Sequence, residues 1–137
     1  MVALTADRRT ARRQNRDYSD PMAANVTIYE GAIVVLNAAR NAAPGSTAVG
    51  LLARGVARER KVNGATAGET RIESEAGTFL FANSAAADLI ARVDIGADCW
   101  IVDDQTVART NGGATRSVAG KIIDVTAGGV WVAIGVR

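Results

Sequence analysis

Between Cys99 and Val136 every apolar run is short, and turn chemistry interrupts each one. Trp100-Ile101-Val102 gives way to Asp103-Asp104, and Gly112-Gly113 follows. Ile122, Ile123 and Val125 come next, then Gly128-Gly129, then the run from Val130 to Val136. This is the spacing of short strands joined by tight connections. Both tryptophans of the chain lie inside it.

The upstream sequence continues the pattern. Val26–Tyr29 reads as a strand, Glu30-Gly31 as a turn, and Ala32–Leu36 as a more deeply buried strand. Asn37–Ser46 reads as a loop around Pro44-Gly45, and Thr47–Leu52 as a further strand. Gly55 opens a strand that runs to Val62, ahead of the turn pair Asn63-Gly64. Glu69–Ser74 alternates charged and less polar residues, as an exposed or edge strand does. In Thr78–Ala82 the spacing puts Phe79 and Phe81 on one face, directed inward. One helical candidate remains, Ser84–Arg92, with Ser84 as its cap and Asp88–Arg92 as an i, i+4 pair. No repeat of solenoid period is present. About nine short strands at close spacing predict an all-β fold, a small β-barrel or β-sandwich with at most one short helix and an extended N-terminal arm.

A chain of 137 residues fits one domain, long enough to bury about two-thirds of its unfolded surface. Its charge is unevenly placed. Arg8, Arg9, Arg12, Arg13 and Arg16 face only Asp7, Asp17 and Asp20 in the first 21 residues, while the remaining eleven bases balance eleven acids, so the net +2 lies wholly in the leading segment. That segment has few large apolar groups, Val2, Leu4 and Tyr18, and cannot offset its ordering entropy alone. Asp20-Pro21 marks its end. The expected organisation is therefore a basic arm over 1–21 and a β-rich body over 22–137. Arg8, Arg9, Arg12, Arg13, Arg16 and Tyr18 are the candidate partner-binding residues, because guanidinium groups suit carboxylates, carbonyls and phosphates. A solvated tail is the competing reading of such a charge run.

Composition closes off much chemistry. There is no histidine and a single cysteine, Cys99, so an internal disulfide, a Cys/His zinc cluster and every histidine-base mechanism are excluded. Cys99 reads as a buried small hydrophobe. Asp103-Asp104, with Asp94 and Asp98 nearby, is the best acidic cluster for a divalent cation or acid–base work. Adjacent strand residues point to opposite faces, however, so the pair reads as a turn. Gly112-Gly113 lacks the lysine–hydroxyl ending of a phosphate loop. No apolar run approaches a membrane span. No catalytic residue, metal or cofactor is expected, and the chain is not expected to be an enzyme. Nucleic acid is an unfavoured partner, because the body is neutral and stacking aromatics are missing from the arm apart from Tyr18.

Three stretches resemble capsid decoration (cement) proteins of tailed bacteriophages: Cys99–Ala108, Ser117–Val125 and Gly129–Ile134. Thr27–Ala32 and Gly55–Ala57 fit the same pattern. The resemblance implies a small β-barrel or sandwich on the outer surface of the virion capsid. It implies partners too: the major capsid protein, and neighbouring copies of the chain in a homotrimer that clamps capsomer junctions. The arm is not part of the resemblance. Two other readings of the chain are a tail-tube or head–tail connector protein and a nucleic-acid-binding β-barrel with a basic tail.

Overall fold

The computed structural model describes residues 2–9 and 16–135. From Asp17 onward the chain is built of strands: β1 (Asp17–Pro21), β2 (Thr27–Ile28), β3 (Ile33–Leu36), β4 (Ala42–Pro44), β5 (Leu52–Ala57), β6 (Lys61–Val62), β7 (Arg71–Glu75), β8 (Gly77–Phe81), β9 (Asp98–Ile101), β10 (Val107–Ala108), β11 (Val118–Thr126) and β12 (Gly129–Ile134). The strands form two five-stranded sheets and one two-stranded sheet. The first sheet has the order β1-β7-β5-β3-β4, the second β10-β9-β11-β12-β8, and β2 pairs with β6. All the strand pairings are antiparallel. Neither large sheet closes into a barrel. The expected all-β fold is what forms.

β3 explains how the layers stack. All four of its residues are buried, because the first sheet is covered on both faces at this strand. Ile33 and Val35, with Ala53 of β5, pack into a core with Phe81, Cys99, Ile101, Ile122, Val130, Val132 and Ile134 of the second sheet. Val34 and Leu36 face the other way, into a smaller core with Met22, Ile28, Ala42, Ala57 and Ile72. Fully burying one such isoleucine or valine contributes roughly 1.5–3 kcal/mol, so the two cores stabilise all three sheets together.

The two five-stranded sheets share one topology. Strands 1, 3, 4, 5 and 7 of the first correspond to strands 8, 9, 10, 11 and 12 of the second, in the same spatial order. The correspondence extends to register. Leu36 pairs with Ala42 as Ile101 pairs with Val107. Val34 pairs with Gly55, and Val35 with Ala53, as Cys99 pairs with Gly120 and Trp100 with Val118. Each residue of the second set lies 65 positions after its counterpart: 36 to 101, 42 to 107, 55 to 120. The β-bulge falls at the same place in both, with Arg54 and Ala119 as the extra residues. Even the sheet edges match. Isolated parallel bridges join Met22 to Ala42 and Ala82 to Thr106, bringing the end of each unit's first strand beside its β4 or β10. The chain from 17 to 134 is thus an internal structural repeat.

The structure departs from sequence expectation in six places, the first being β4 (Ala42–Pro44), which pairs with β3 inside the loop expected over Asn37–Ser46 because Ala42 and its neighbours add a strand beside buried Val34–Leu36. Asp17–Pro21, expected within the arm, is an edge strand antiparallel to β7. β7 lies between β1 and β5 and exposes only alternate residues. No strand forms over 46–51. Instead Thr47 Oγ1 donates to the Val102 carbonyl, Ser117 Oγ donates to the Ala48 carbonyl, and Leu51 N donates to Ser117 Oγ. These tertiary bonds outcompete a local ladder. The strand expected from Gly55 to Val62 breaks after Ala57, and β6 turns away to pair with β2.

Single 3-10 turns at Ala86–Asp88 and Arg92–Asp94 replace the helix expected over Ser84–Arg92. Ser84 Oγ donates to the Val107 carbonyl instead of capping. Asp88 pairs with Arg116, and Arg92 with Asp124. Asn83 bonds both the N–H and the carbonyl of Ile90, holding that side chain in the core. A two-turn helix has little cooperativity of its own to set against these partners.

Candidate partner interface at the arm and its root

The structure separates the six candidate residues. Arg8 and Arg9 are exposed and lie in no helix or strand. Arg12 and Arg13 fall outside the described residues. Arg16 is exposed at the root of β1, and its carbonyl accepts a bond from Ala76 N at 2.9 Å. Tyr18 is a different kind of residue. It is half-buried in β1, its hydroxyl donates to the Gly135 carbonyl at 3.1 Å, and the Arg54 guanidinium lies 3.7 Å from its ring centroid.

Arg54 also forks onto Asp20, with Nε to Oδ2 at 2.9 Å and an Nη2 to Oδ1 bond at 3.1 Å. Asp20 is only 8% exposed. Tyr18, Asp20 and Arg54 therefore fasten β1 to the sheet, by a bidentate ion pair and a cation–π contact. Sequence reading missed Arg54 and Asp20. Arg54 is the single charged residue within Leu52–Ala57, and that isolation was the available signal.

Beside this root an open groove of about 580 Å³ is lined by Arg16, Asp17, Arg58, Glu75, Ala76 and Gly77. Arg58 and Asp17 pair across it at 3.2 Å, both about half exposed. A partner here meets two cations and two anions, a surface suited to polar peptide contacts. A smaller hollow of about 280 Å³ lies between Tyr29–Ala32 and Asp104-Gln105.

The acidic residues are each engaged separately. Asp103 Oδ1 accepts from Gln105 N, an Asx-type turn, and the Asp104 carbonyl accepts from Ile33 N. Asp94 pairs with Arg109, and Asp98 with Lys121. Among the described residues no group of three or more His, Cys, Asp or Glu is placed to hold a metal. Gly112 and Gly113 both have positive φ, in a loop tied by Arg116 to the Thr110 carbonyl.

Comparison with models of known protein families, with curated proteins and with solved structures finds no match. What the chain does must therefore be argued from its own residues.

Two predictions follow from the local chemistry. Burial pushes the Cys99 thiol up to about 12, while its S–H donates to the Gly120 carbonyl at 3.6 Å. The thiolate is the reactive form, so the folded chain should resist alkylation at pH 8 and react at once in denaturant. Labelling of native protein as fast as free cysteine would show that Cys99 is accessible.

The second concerns acid. Asp88 and Asp94 sit below the ordinary carboxylate value of 3.8. Asp88 is held there first by the Thr110 hydroxyl and then by Arg116, and Asp94 by the Ala91 N–H and then by Arg109. A carboxylate depressed in the fold contributes stability above its unfolded pKa and loses it as pH falls through the folded one. The melting temperature should therefore change little through these two groups above roughly pH 5 and decline below roughly pH 4. Asp88→Asn should lower stability at neutral pH and flatten the acid decline. A thermal melt series over pH 2–7 is the measurement.

Proposed function

We propose that this chain is a structural virion protein that decorates the outer surface of a phage capsid and stabilises the shell at capsomer junctions. The observation that carries the reading is where the resembling residues lie. Cys99–Ala108, Ser117–Val125 and Gly129–Ile134 hold β9, β10, β11 and β12, four of the five strands of the second sheet. These three stretches fall on one continuous part of the fold, and the other two, Thr27–Ala32 and Gly55–Ala57, lie in and after β2 and in β5 of the first sheet. The partners are the major capsid protein and neighbouring copies of this chain, in a homotrimer. The basic residues ahead of β1 are the contact chemistry, pairing with carboxylates or carbonyls of the shell or an adjacent subunit. Many copies acting together offset the cost of ordering that segment.

The test mixes purified, labelled protein with heads that lack it. Expected is saturable decoration of the head surface and greater resistance of the heads to heat. Because β1 belongs to the body, the informative truncation removes residues 1–15 and leaves Arg16. It should fold as the full chain does and attach at least ~10-fold more weakly, a loss of about 1.4 kcal/mol. The weakening should be greater at low salt, where exposed charges are least screened. Label confined to tails, or retention by DNA with a steep salt slope, would overturn the reading. Unchanged occupancy by the truncated chain would remove the arm from it.

A further inference from the structure

The chain holds two Asn-Gly pairs, Asn63-Gly64 and Asn111-Gly112. Asparagine is thermolabile, and most so ahead of glycine, where the next backbone nitrogen closes on the side-chain amide with no Cβ in the way. The fold treats the two pairs in opposite ways. Asn63 is 3% exposed. Its Nδ2 donates to the carbonyls of Met22, Ala23 and Thr66 at 3.1, 2.9 and 3.1 Å, and its Oδ1 accepts from Thr70 N and Thr70 Oγ1 at 2.9 and 2.6 Å. Both ends of that amide are fixed, and burial keeps water from it.

Asn111 lies exposed in the connection between β10 and β11. Its Oδ1 accepts from Ala114 N at 3.3 Å, which draws charge off the amide carbon and favours attack there. Among the described residues its Nδ2 has no hydrogen-bond partner, so nothing retains the nitrogen that must leave. The attacking atom is Gly112 N, which donates to Thr110 Oγ1 at 3.3 Å; that hydroxyl donates in turn to Asp88 Oδ1. The proton that Gly112 N must shed therefore has an acceptor in place. Backbone bonds from Thr115 N and Arg116 N to the Asn111 carbonyl, at 3.0 and 3.2 Å, hold the turn without engaging the side-chain nitrogen.

We propose that Asn111-Gly112 is a self-modification site, at which the folded chain converts Asn111 into isoaspartate and aspartate. Gly112 N loses its proton and bonds to Asn111 Cγ. The Cγ–Nδ2 bond breaks, and the amide nitrogen leaves with that proton as ammonia. Water then opens the succinimide. Opening at the backbone carbonyl of residue 111 gives isoaspartate, and opening at Cγ gives aspartate. Nothing is oxidised or reduced, and water is the sole co-reactant, so the step is independent of the decoration reading. Either product places a carboxylate beside Arg116, whose guanidinium already bonds Asp88 and the Thr110 carbonyl. Isoaspartate also lengthens the main chain of the turn by a methylene.

The experiment incubates the full chain at pH 8, native and in guanidinium chloride, and samples it over days. Peptide mapping locates isoaspartate, released ammonia is measured, and isoelectric focusing follows the more acidic form. In the native chain isoaspartate should appear at position 111 with a matching release of ammonia, and Asn63 should react at least ~10-fold more slowly. In denaturant the two pairs should react at comparable rates, because the protection of Asn63 is lost. At Asn111 the native rate should be no lower than the denatured one, since the turn supplies a polarising donor and a proton acceptor. Asn111→Gln, at an exposed position, should fold as the parent does and stop the acidic form from building up, because ring closure from the longer side chain is far slower. A native chain without isoaspartate at 111, equal native rates at the two pairs, a rate at Asn111 that falls on folding, or an Asn111→Gln chain that acidifies as fast as the parent would each overturn the proposal.

Discussion

Replacing Gly120 with alanine is expected to destabilise the protein by ~3 kcal/mol or more. In most strands the same change stabilises, because alanine has less backbone entropy to lose than glycine. Here a Cβ would land on the Ala133 carbonyl, with the carbonyl carbon 2.9 Å away. That carbonyl cannot retreat, since β12 is zipped to β11 on one side and β8 on the other. Positive φ is not the reason, because Gly120 is absent from the positive-φ glycines. The cause is the close approach of the β11 backbone to β12 at Gly120, the residue that follows the bulge of the β9–β11 pairing. Gly55 is the matched test. It follows the same bulge in the first sheet, and its Cβ would meet the Glu75 carbonyl carbon at 2.7 Å. Gly55→Ala should also destabilise, whereas at Gly128, where the nearest atoms are 3.7 and 3.9 Å away, alanine should change stability by well under ~1 kcal/mol. Urea unfolding at constant m-value reads all three. A Gly120→Ala protein as stable as the parent would show that the strands do not approach this closely.

Those glycines also show why the repeat was invisible in the sequence. Equivalent inward positions keep only their class: Val34 and Cys99, Leu36 and Ile101, Ile72 and Val130. Several outward positions change class, as Ser19 and Leu80 do and as Glu73 and Trp131 do. The constant spacing holds for three strands of each unit. The connections ahead of β7 and of β12 differ in length, because the segment that carries β6 in the first unit is replaced by the two-residue turn 127–128 in the second. Strand character was legible because alternation and turn residues are local signals. Pairing order and the bulges were not, because close approach of two carbonyls to two glycines has no local signature.

The candidate site was legible in part. The charge imbalance of the first 21 residues is a composition fact, and the turn reading of Asp103-Asp104 follows from strand geometry; Asp103 caps its turn as that geometry requires. The boundary at Pro21 was misplaced for a physical reason. Asp17–Pro21 has little apolar surface, and burial is what sequence reading detects. β1 is held by its ladder to β7 and by the Tyr18–Asp20–Arg54 cluster, in which Arg54 lies more than 30 residues along the chain from the other two.

Removing the Arg54 side chain is the second change with a large expected effect. Arg54→Met keeps the bulk of the stem but strips the guanidinium from Asp20, whose side chain retains 11% exposure. A carboxylate left with little water and no cation costs on the order of 3 kcal/mol, toward the lower end for breaking a buried pair because some solvent reaches Arg54. Arg54→Lys should recover less than half of that, since an ammonium cannot fork onto Asp20 and stacks less well on Tyr18. Tyr18→Phe removes only the bond to the Gly135 carbonyl and should cost about 1 kcal/mol. The double variant Arg54→Met, Asp20→Leu should be less damaged than Arg54→Met alone, because no charge is then stranded, giving a coupling of about 2 kcal/mol. The loss should be localised. Hydrogen exchange should accelerate across Asp17–Pro21 and its partners in β7 before it does in β11 or β12, since β1 is an edge strand with one neighbour. If β1 exchanges no faster in Arg54→Met than in the parent, the ladder alone holds that strand. The arm's root would then be anchored by backbone pairing and not by these three side chains.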